Sequence, residues 1–325
     1  AMGAIHEVDA LKPHEKLVNA YTSALKAGKS ALVVSPTHQQ SEQVTQAIRE
    51  KLRSSKLLGK KEVALPRLMN LNLTEAEKSD WRNFKQGMQV QFNQNSSGLK
   101  RGSRWSIESS SESGVRIKDE NEVTALLPLH RCGDFEVYKQ GEISLSKGDW
   151  VRLTRNGFDR QKKRLNNGEM LTVASVSKKG ELVLQNPVSK TKFRLEKDYG
   201  HLAHAYCITS HASQGKTVDE VFISQPAATF PATDAKQFYV SVSRGRNGVY
   251  IYTDNKEELM HHAQRVGDRQ SAMELVHKKN NTLEAVQQQL RNQRNKLPAP
   301  AKNKAQDKEK PSPHKSKDKH HEPEL

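Results

Sequence analysis

Six glycines in two matched sets of three do most to limit what this chain can fold into. Gly-Met-Gln-Val-Gln-Phe-Asn-Gln-Asn at 87–95 aligns with Gly-Asp-Trp-Val-Arg-Leu-Thr-Arg-Asn at 148–156. Gly-Ser-Arg-Trp-Ser-Ile at 102–107 aligns with Gly-Glu-Met-Leu-Thr-Val at 168–173, and Gly114 and Gly180 each follow 12 residues later. Between the glycines apolar and polar residues alternate, the period of a strand with one buried face. Three glycine-punctuated strands in the same order, twice, imply two copies of one small β unit. Asn166-Asn167-Gly168 adds a tight-turn signal. Trp105 and Trp150 fall on these strands, where core packing is expected ahead of base stacking.

The flanking sequence has a different texture. Leu17, Val18, Tyr21 and Leu25 recur at helical spacing and are closed by Gly28. Ala31–Ser35 is an apolar strand; Pro36-Thr37-His38 turns the chain into a helix over 41–52, with Val44, Ile48 and Leu52 on one face. Ser41 is its expected N-cap, and Arg49 reads as a solvated helix arginine. A further helix is expected over 71–84, with Thr74 as N-cap and Glu77 as capping-box partner. Near the other end, apolar runs at 206–208 and 218–223 bracket a polar loop, and a third lies at 249–252. These are the signs of buried strands in an α/β sheet, whose loops commonly meet phosphate groups.

Charge narrows the partners. The chain carries 53 Lys and Arg against 37 Asp and Glu, a formal +16 in which the segment from residue 278 has 12 basic and 6 acidic residues. An excess spread through both parts suits the phosphates of a nucleic acid. Within the β copies it gathers at loops: Lys100, Arg101 and Arg104 in the first, and Arg155, Arg160, Lys162, Lys163 and Arg164 in the second, which we take as a single-stranded DNA track. Cys132 and Cys207 show no metal-ligand spacing, so neither zinc nor a disulfide is expected. No apolar run reaches membrane length and no signal peptide is evident, so the expected location is cytoplasmic, with no membrane partner. Ala1-Met2-Gly3 reads as an expression remnant of a piece of something longer.

The chemistry concentrates in two blocks. Residues 209–217 read Thr-Ser-His-Ala-Ser-Gln-Gly-Lys-Thr, and residues 238–246 read Phe-Tyr-Val-Ser-Val-Ser-Arg-Gly-Arg. The first is not a P-loop: Ser210 stands where that motif needs glycine, and an apolar strand rather than a helix follows. The second places Tyr239, Val242 and Ser243 at helical spacing, with Arg244 and Arg246 at the helix end, as an arginine finger requires. No Gly-x-x-x-x-Gly-Lys-[Ser/Thr] occurs anywhere in the sequence.

These blocks resemble motifs V and VI of superfamily 1 helicases, in particular the RecD-like helicase portion of conjugative relaxase-helicases of the TraI/TrwC type. Thr209, His211, Ser213, Gln214 and Gly215 carry the first likeness; Tyr239, Ser243 and Arg244 carry the second. The resemblance implies an α/β RecA-like parallel sheet domain from residues 4–86 and 203–266. It would be interrupted by an all-β region of two small Src-homology-type barrel units, at 87–145 and 146–202. A helical extension over 267–296 and a disordered basic tail over 297–325 would follow. By the same resemblance, Arg244 would be the catalytic arginine with Arg246 beside it, and Gln214, Gly215 and Lys216 would lie near the nucleotide. Thr37, Thr209, His211 and Ser213 would grip DNA. The chain would be the C-terminal motor half of an ATP-dependent DNA helicase, binding ATP and Mg²⁺ only together with a first RecA-like domain and inert alone. Its partners would be single-stranded DNA, the N-terminal helicase or relaxase segment and, in the secretion-signal alternative, a type IV secretion coupling protein. Delivery to a recipient cell belongs to that alternative. A stand-alone DNA-binding fragment is the third reading. Nothing matches the relaxase tyrosines or a His-x-His cluster, so nicking is not expected.

Overall fold

The computed structural model describes residues 4–264 apart from Ala10 and Lys178. The expected helical extension at 267–296 and basic tail at 297–325 lie outside the described residues. Five strands form a wholly parallel sheet in the order Ile5–Glu7, Gly245–Thr253, Val218–Ser224, Ala31–Ser35, Cys207–Thr209. Their side chains alternate between two apolar layers, as a sheet covered on both faces requires. Val33, Phe222 and Cys207 pack with Leu17, Tyr21, Val44 and Ile48 of the Glu15–Lys26 and His38–Ser54 helices. Leu32, Val34, Val221 and Ile223 pack on the other side with Phe230, Phe238 and Leu259. The last helix runs Lys256–Gln264.

Two local expectations change. Thr37, not Ser41, caps the His38–Ser54 helix, accepting from the Gln40 amide at 3.2 Å. The helix starts as soon as the strand ends, so Ser41 falls in its first turn, buried, and donates to the Cys207 carbonyl at 2.7 Å. The helix expected over 71–84 is broken into Glu75–Ser79 and a 3-10 turn at Trp81–Asn83. The Thr74–Glu77 capping box is present, but Asp80 adopts an extended conformation and caps the second turn itself.

The two β copies share a backbone frame. Gly87 N–H donates to Ile107 and Gly148 N–H to Val173; Gly102 N–H donates to Phe92 and Gly168 N–H to Leu153. Each copy then shifts register at the same aligned place, between Ile107 and Ser109 and between Val173 and Ser175. All six glycines have positive φ, which explains why glycine stands at each of these positions in both copies. The copies sit in separate antiparallel sheets, one of six strands and one of five. Glu62–Asn70, grouped by the sequence reading with the parallel-sheet segment, pairs along its length with Phe135–Ser146 in the first of these. Leu65, Ile143 and Leu145 from that pair complete the apolar core of the second copy. Trp105 is buried in the first core and Trp150 packs against the parallel-sheet core, so both are packing residues.

Candidate functional site

The 209–217 block folds as a strand end, a single helical turn at Ser210–Ser213, and a loop entering Val218–Ser224. Thr209 caps that turn and stands in register with Ser35, two residues before Thr37. Thr37 and Thr209 thus both lie at the finishing end of adjacent parallel strands. Their side-chain oxygens already accept from the amides of Gln40 and Ala212, leaving the hydroxyl protons to donate. His211 is exposed on the turn. Ser213 is not available to DNA in this arrangement: it is fully buried and donates to the Ser210 carbonyl at 2.6 Å.

Arg244 lies at the opposite end of the sheet. The Ala235–Val242 helix, capped by Asp234, delivers it immediately before Gly245–Thr253. Val218 and Gly245 are register partners, so the 214–217 loop and Arg244 meet at the starting end of neighbouring strands. The guanidinium donates to the Val240 carbonyl at 2.8 Å, to the Lys216 carbonyl at 3.4 Å and to the Ser243 hydroxyl at 2.7 Å. It is half-buried, and no carboxylate among the described residues pairs with it. Gln214 and Gly215 are exposed, Gly215 with φ +78°. Lys216 instead reaches the second β copy, donating to the Gly168 carbonyl at 3.1 Å. Burial, and then the charge of Arg152, lower its pKa. Arg246 is exposed near Asp219, whose carboxylate is kept acidic first by hydrogen bonds from Ser30 and more weakly by Arg246.

The basic run of the second copy divides. Arg155 is internal, donating to Tyr138 Oη at 2.9 Å, Asn93 Oδ1 at 2.8 Å and the Phe92 carbonyl, and so ties the two copies together. Arg160 pairs with Glu196 at 2.6 Å and Lys163 donates to the Lys192 carbonyl at 3.0 Å. Lys162 and Arg164 are exposed on the same short hairpin, Lys162 at φ +61°. Buried Asp159 shapes the turn by accepting from the amides of Gln161, Lys163 and Arg194. Arg104 of the first copy pairs with Asp198 at 2.9 Å. The run is therefore one structural arginine and an exposed basic hairpin, not a continuous track.

Two networks escaped the sequence. Ser210, Gln237 and Ser241 form a buried cluster linking the Thr209 turn to the arginine-bearing helix. Ser241 donates to the Gln237 carbonyl, so Ser210 is the donor across the 3.0 Å hydroxyl pair. The second network is Arg49, which grips fully buried Asp149 in a bidentate pair, 2.9 Å on each side, and also reaches Glu62 at 2.8 Å. Tyr206 Oη and the Ser146 amide donate to the same Asp149 carboxylate. Arg49 is not a solvated arginine; it clamps the α/β part to the second β copy.

Residues 204–252 match the model of the UvrD-like helicase C-terminal domain family. No curated protein matches the chain. Among solved structures, a Pif1 helicase from Bacteroides in complex with ADP-AlF3 and ssDNA is similar at 16% identity and TM-score 0.19, over 69% of this chain and 40% of that one. The Pif1 helicase from Candida albicans is similar at 13% identity and TM-score 0.23, over 83% of this chain and 54% of that one. A structure of two coordinating Pif1 helicases at forked dsDNA gives 12% identity and TM-score 0.19, over 78% and 49%. The chain spans about half the length of these structures or less.

Proposed function

We propose that this chain is the second motor domain of a superfamily 1 DNA helicase. It holds a single strand at the finishing end of the parallel sheet and supplies Arg244 to a nucleotide held largely by another RecA-like domain. The observation that carries this reading is Arg244 itself. It is half-exposed, bound among the described residues only to carbonyl and hydroxyl oxygens, and poised over the 214–216 loop within the segment that matches a helicase C-terminal family. With no carboxylate beside it, its charge is left uncompensated and free to meet a phosphoryl group. The sequence has no P-loop, so its own contribution to ATP and Mg²⁺ chemistry is a cation placed to meet charge on the transferred phosphoryl group. Thr37, Thr209 and His211 would bind the strand, and the Ser210–Gln237–Ser241 cluster would couple strand and nucleotide. The two antiparallel units would be the inserted Src-homology-type barrels. Conjugative transfer as the setting rests on the motif likeness to TraI/TrwC-type proteins.

The test is DNA-stimulated ATP hydrolysis by this chain joined to a P-loop-bearing RecA-like domain, beside each part alone. Hydrolysis that needs both parts and single-stranded DNA is expected. Equal hydrolysis by the P-loop part alone would remove the proposal.

A further inference from the structure

A cleft of about 890 Å³ opens between the His38–Ser54 helix and the two antiparallel sheets, and its contents are unusual in a specific way. Val151 and Leu153 of the Trp150–Leu153 strand point into the core of the second copy, so Arg152 and the following Thr154 face outward and line the cleft. His204, on the neighbouring Leu202–His204 strand, lines it too. Arg152 Nε, Thr154 Oγ1 and His204 Nδ1 are all buried and all lack a hydrogen-bond partner. One unmet buried polar atom is a cost; three around one open space are the lining of a site.

The first copy shows what these positions look like when covered. Gln91 aligns with Arg152 and Asn93 with Thr154. Gln91 donates to the Gly102 carbonyl and meets His201 at 2.7 Å, and Asn93 accepts from Arg155. In the first copy these positions are met by Gly102 of that copy and by His201 and Arg155 of the second, while in the second copy Trp150 packs on the parallel-sheet core but Arg152 Nε and Thr154 Oγ1 find no hydrogen-bond partner among the described residues. Charge points to the missing partner. Arg152 has no carboxylate within 4 Å among the described residues, and its charged neighbours include Arg67 and Lys216. Burial, then Arg67, lower the Arg152 pKa. Among the described residues Arg67 pairs with the exposed Glu42 alone, at 3.2 Å. Of the other glutamates lining the cleft, Glu62 is held by Arg49 and Arg53, whereas Glu50 and Glu142 form no ion pair among the described residues. The lining holds four arginines and four glutamates, so its positive character is local to Arg152 and Arg67, which suits a single phosphate and not a long run.

We propose that Arg152, with Arg67, Thr154 and His204 around it, seats a phosphodiester of a bound single strand inside this cleft. Thr209 and His38 line the same cleft, so a strand at the finishing end of the parallel sheet has a route to it. The proposal rests on the reading that the chain holds a DNA strand. His204, neutral because burial and then Arg49 press its pKa down to about 4, can offer an N–H without adding charge.

Anisotropy of a labelled oligo-dT strand, measured against this chain across a salt series, tests it. Arg152→Gln is expected to weaken binding about tenfold and to flatten the slope of log K against log salt by about 0.7, one phosphate contact on a single strand. Arg116→Gln, which removes an equal charge from an exposed strand position outside the cleft, should leave both unchanged. Thr154→Val and Arg67→Gln repeat the measurement should Arg152→Gln melt early. Unchanged affinity and slope in all three cleft variants would overturn the seat and leave the DNA reading standing. No binding by the parent chain would sink both. Displacement of the strand by inorganic phosphate beyond the effect of chloride at matched ionic strength would make this a free-ion site and overturn the strand assignment.

Discussion

Met88 and Asp149 stand at the same position of the two β copies, one residue after the first glycine of each set. Met88 packs against its own copy's core. Asp149 instead keeps the Ser146 amide of its own copy and reaches out to Arg49 of the parallel-sheet part, with Tyr206 completing the carboxylate's shell. Gln91 and Arg152 differ in the same manner: one is enclosed, the other faces an open cleft. A shared frame of glycines, register shifts and backbone hydrogen bonds fixes the shape of both copies. Function enters through the few side chains that the frame holds but does not use. The second is the copy whose Asp149 and Trp150 meet the parallel-sheet part.

The sharpest way to break this comparison is at the clamp. Asp149→Ala should destabilise the chain by about 3 kcal/mol, because it leaves the Tyr206 hydroxyl and the Ser146 amide without their acceptor and Arg49 with Glu62 alone. Met88→Ala should cost about 1–2 kcal/mol for a partly buried side chain. Urea denaturation of both variants checks the ordering, and equal losses would mean that the copies are not differently used.

A second prediction concerns His201, which joins the copies through Gln91. Gln91 gives its amide N–H to Gly102, so its oxygen faces His201 and the imidazole donates from Nε2, leaving Nδ1 bare. Burial, then Arg155 and Arg104, depress its pKa from 6.5 to about 3. A depressed histidine is neutral in the fold but protonates in the unfolded chain. Its stabilisation is therefore complete above pH 6.5 and falls as pH drops from there toward 3. Between pH 6.5 and 5 the loss should approach about 2 kcal/mol. His201→Gln should flatten that part of the stability profile, read by melts at successive pH values; an unchanged profile would place the titration elsewhere.

The smallest effect tests the shared frame. Gly102 and Gly168 have φ of +85° and +83° with nothing within 4 Å of an added Cβ, so alanine at either should cost about 1 kcal/mol through backbone strain alone. Matching losses support one frame used twice, and a large difference argues for two unrelated sheets.

What could be read from the sequence follows the range of the interaction. The paired glycines, the Ala31–Ser35 strand and the Thr74–Glu77 box depend on neighbours a few residues away, and composition and spacing announce them. Arg49 could not be read, because its meaning lies in Asp149, 100 residues along the chain. Arg155 looked like its basic neighbours; only the fold reveals that Tyr138 and Asn93 enclose it. Ser213 stands in a motif-like string, yet a helix of one turn buries it while leaving His211 out. Arg152 carried a signal that could have been found: a charged residue at an outward strand position whose counterpart in the repeat is neutral Gln91.

The most direct measurement is the turnover of the joined, DNA-stimulated ATPase with Arg244→Ala beside Arg246→Ala. The fold should survive both changes, since neither side chain pairs with a buried group. Arg244→Ala is expected to lower kcat by about 10³-fold or more with KM for ATP little changed, and Arg246→Ala to lower it far less. Full turnover by Arg244→Ala would contradict the account.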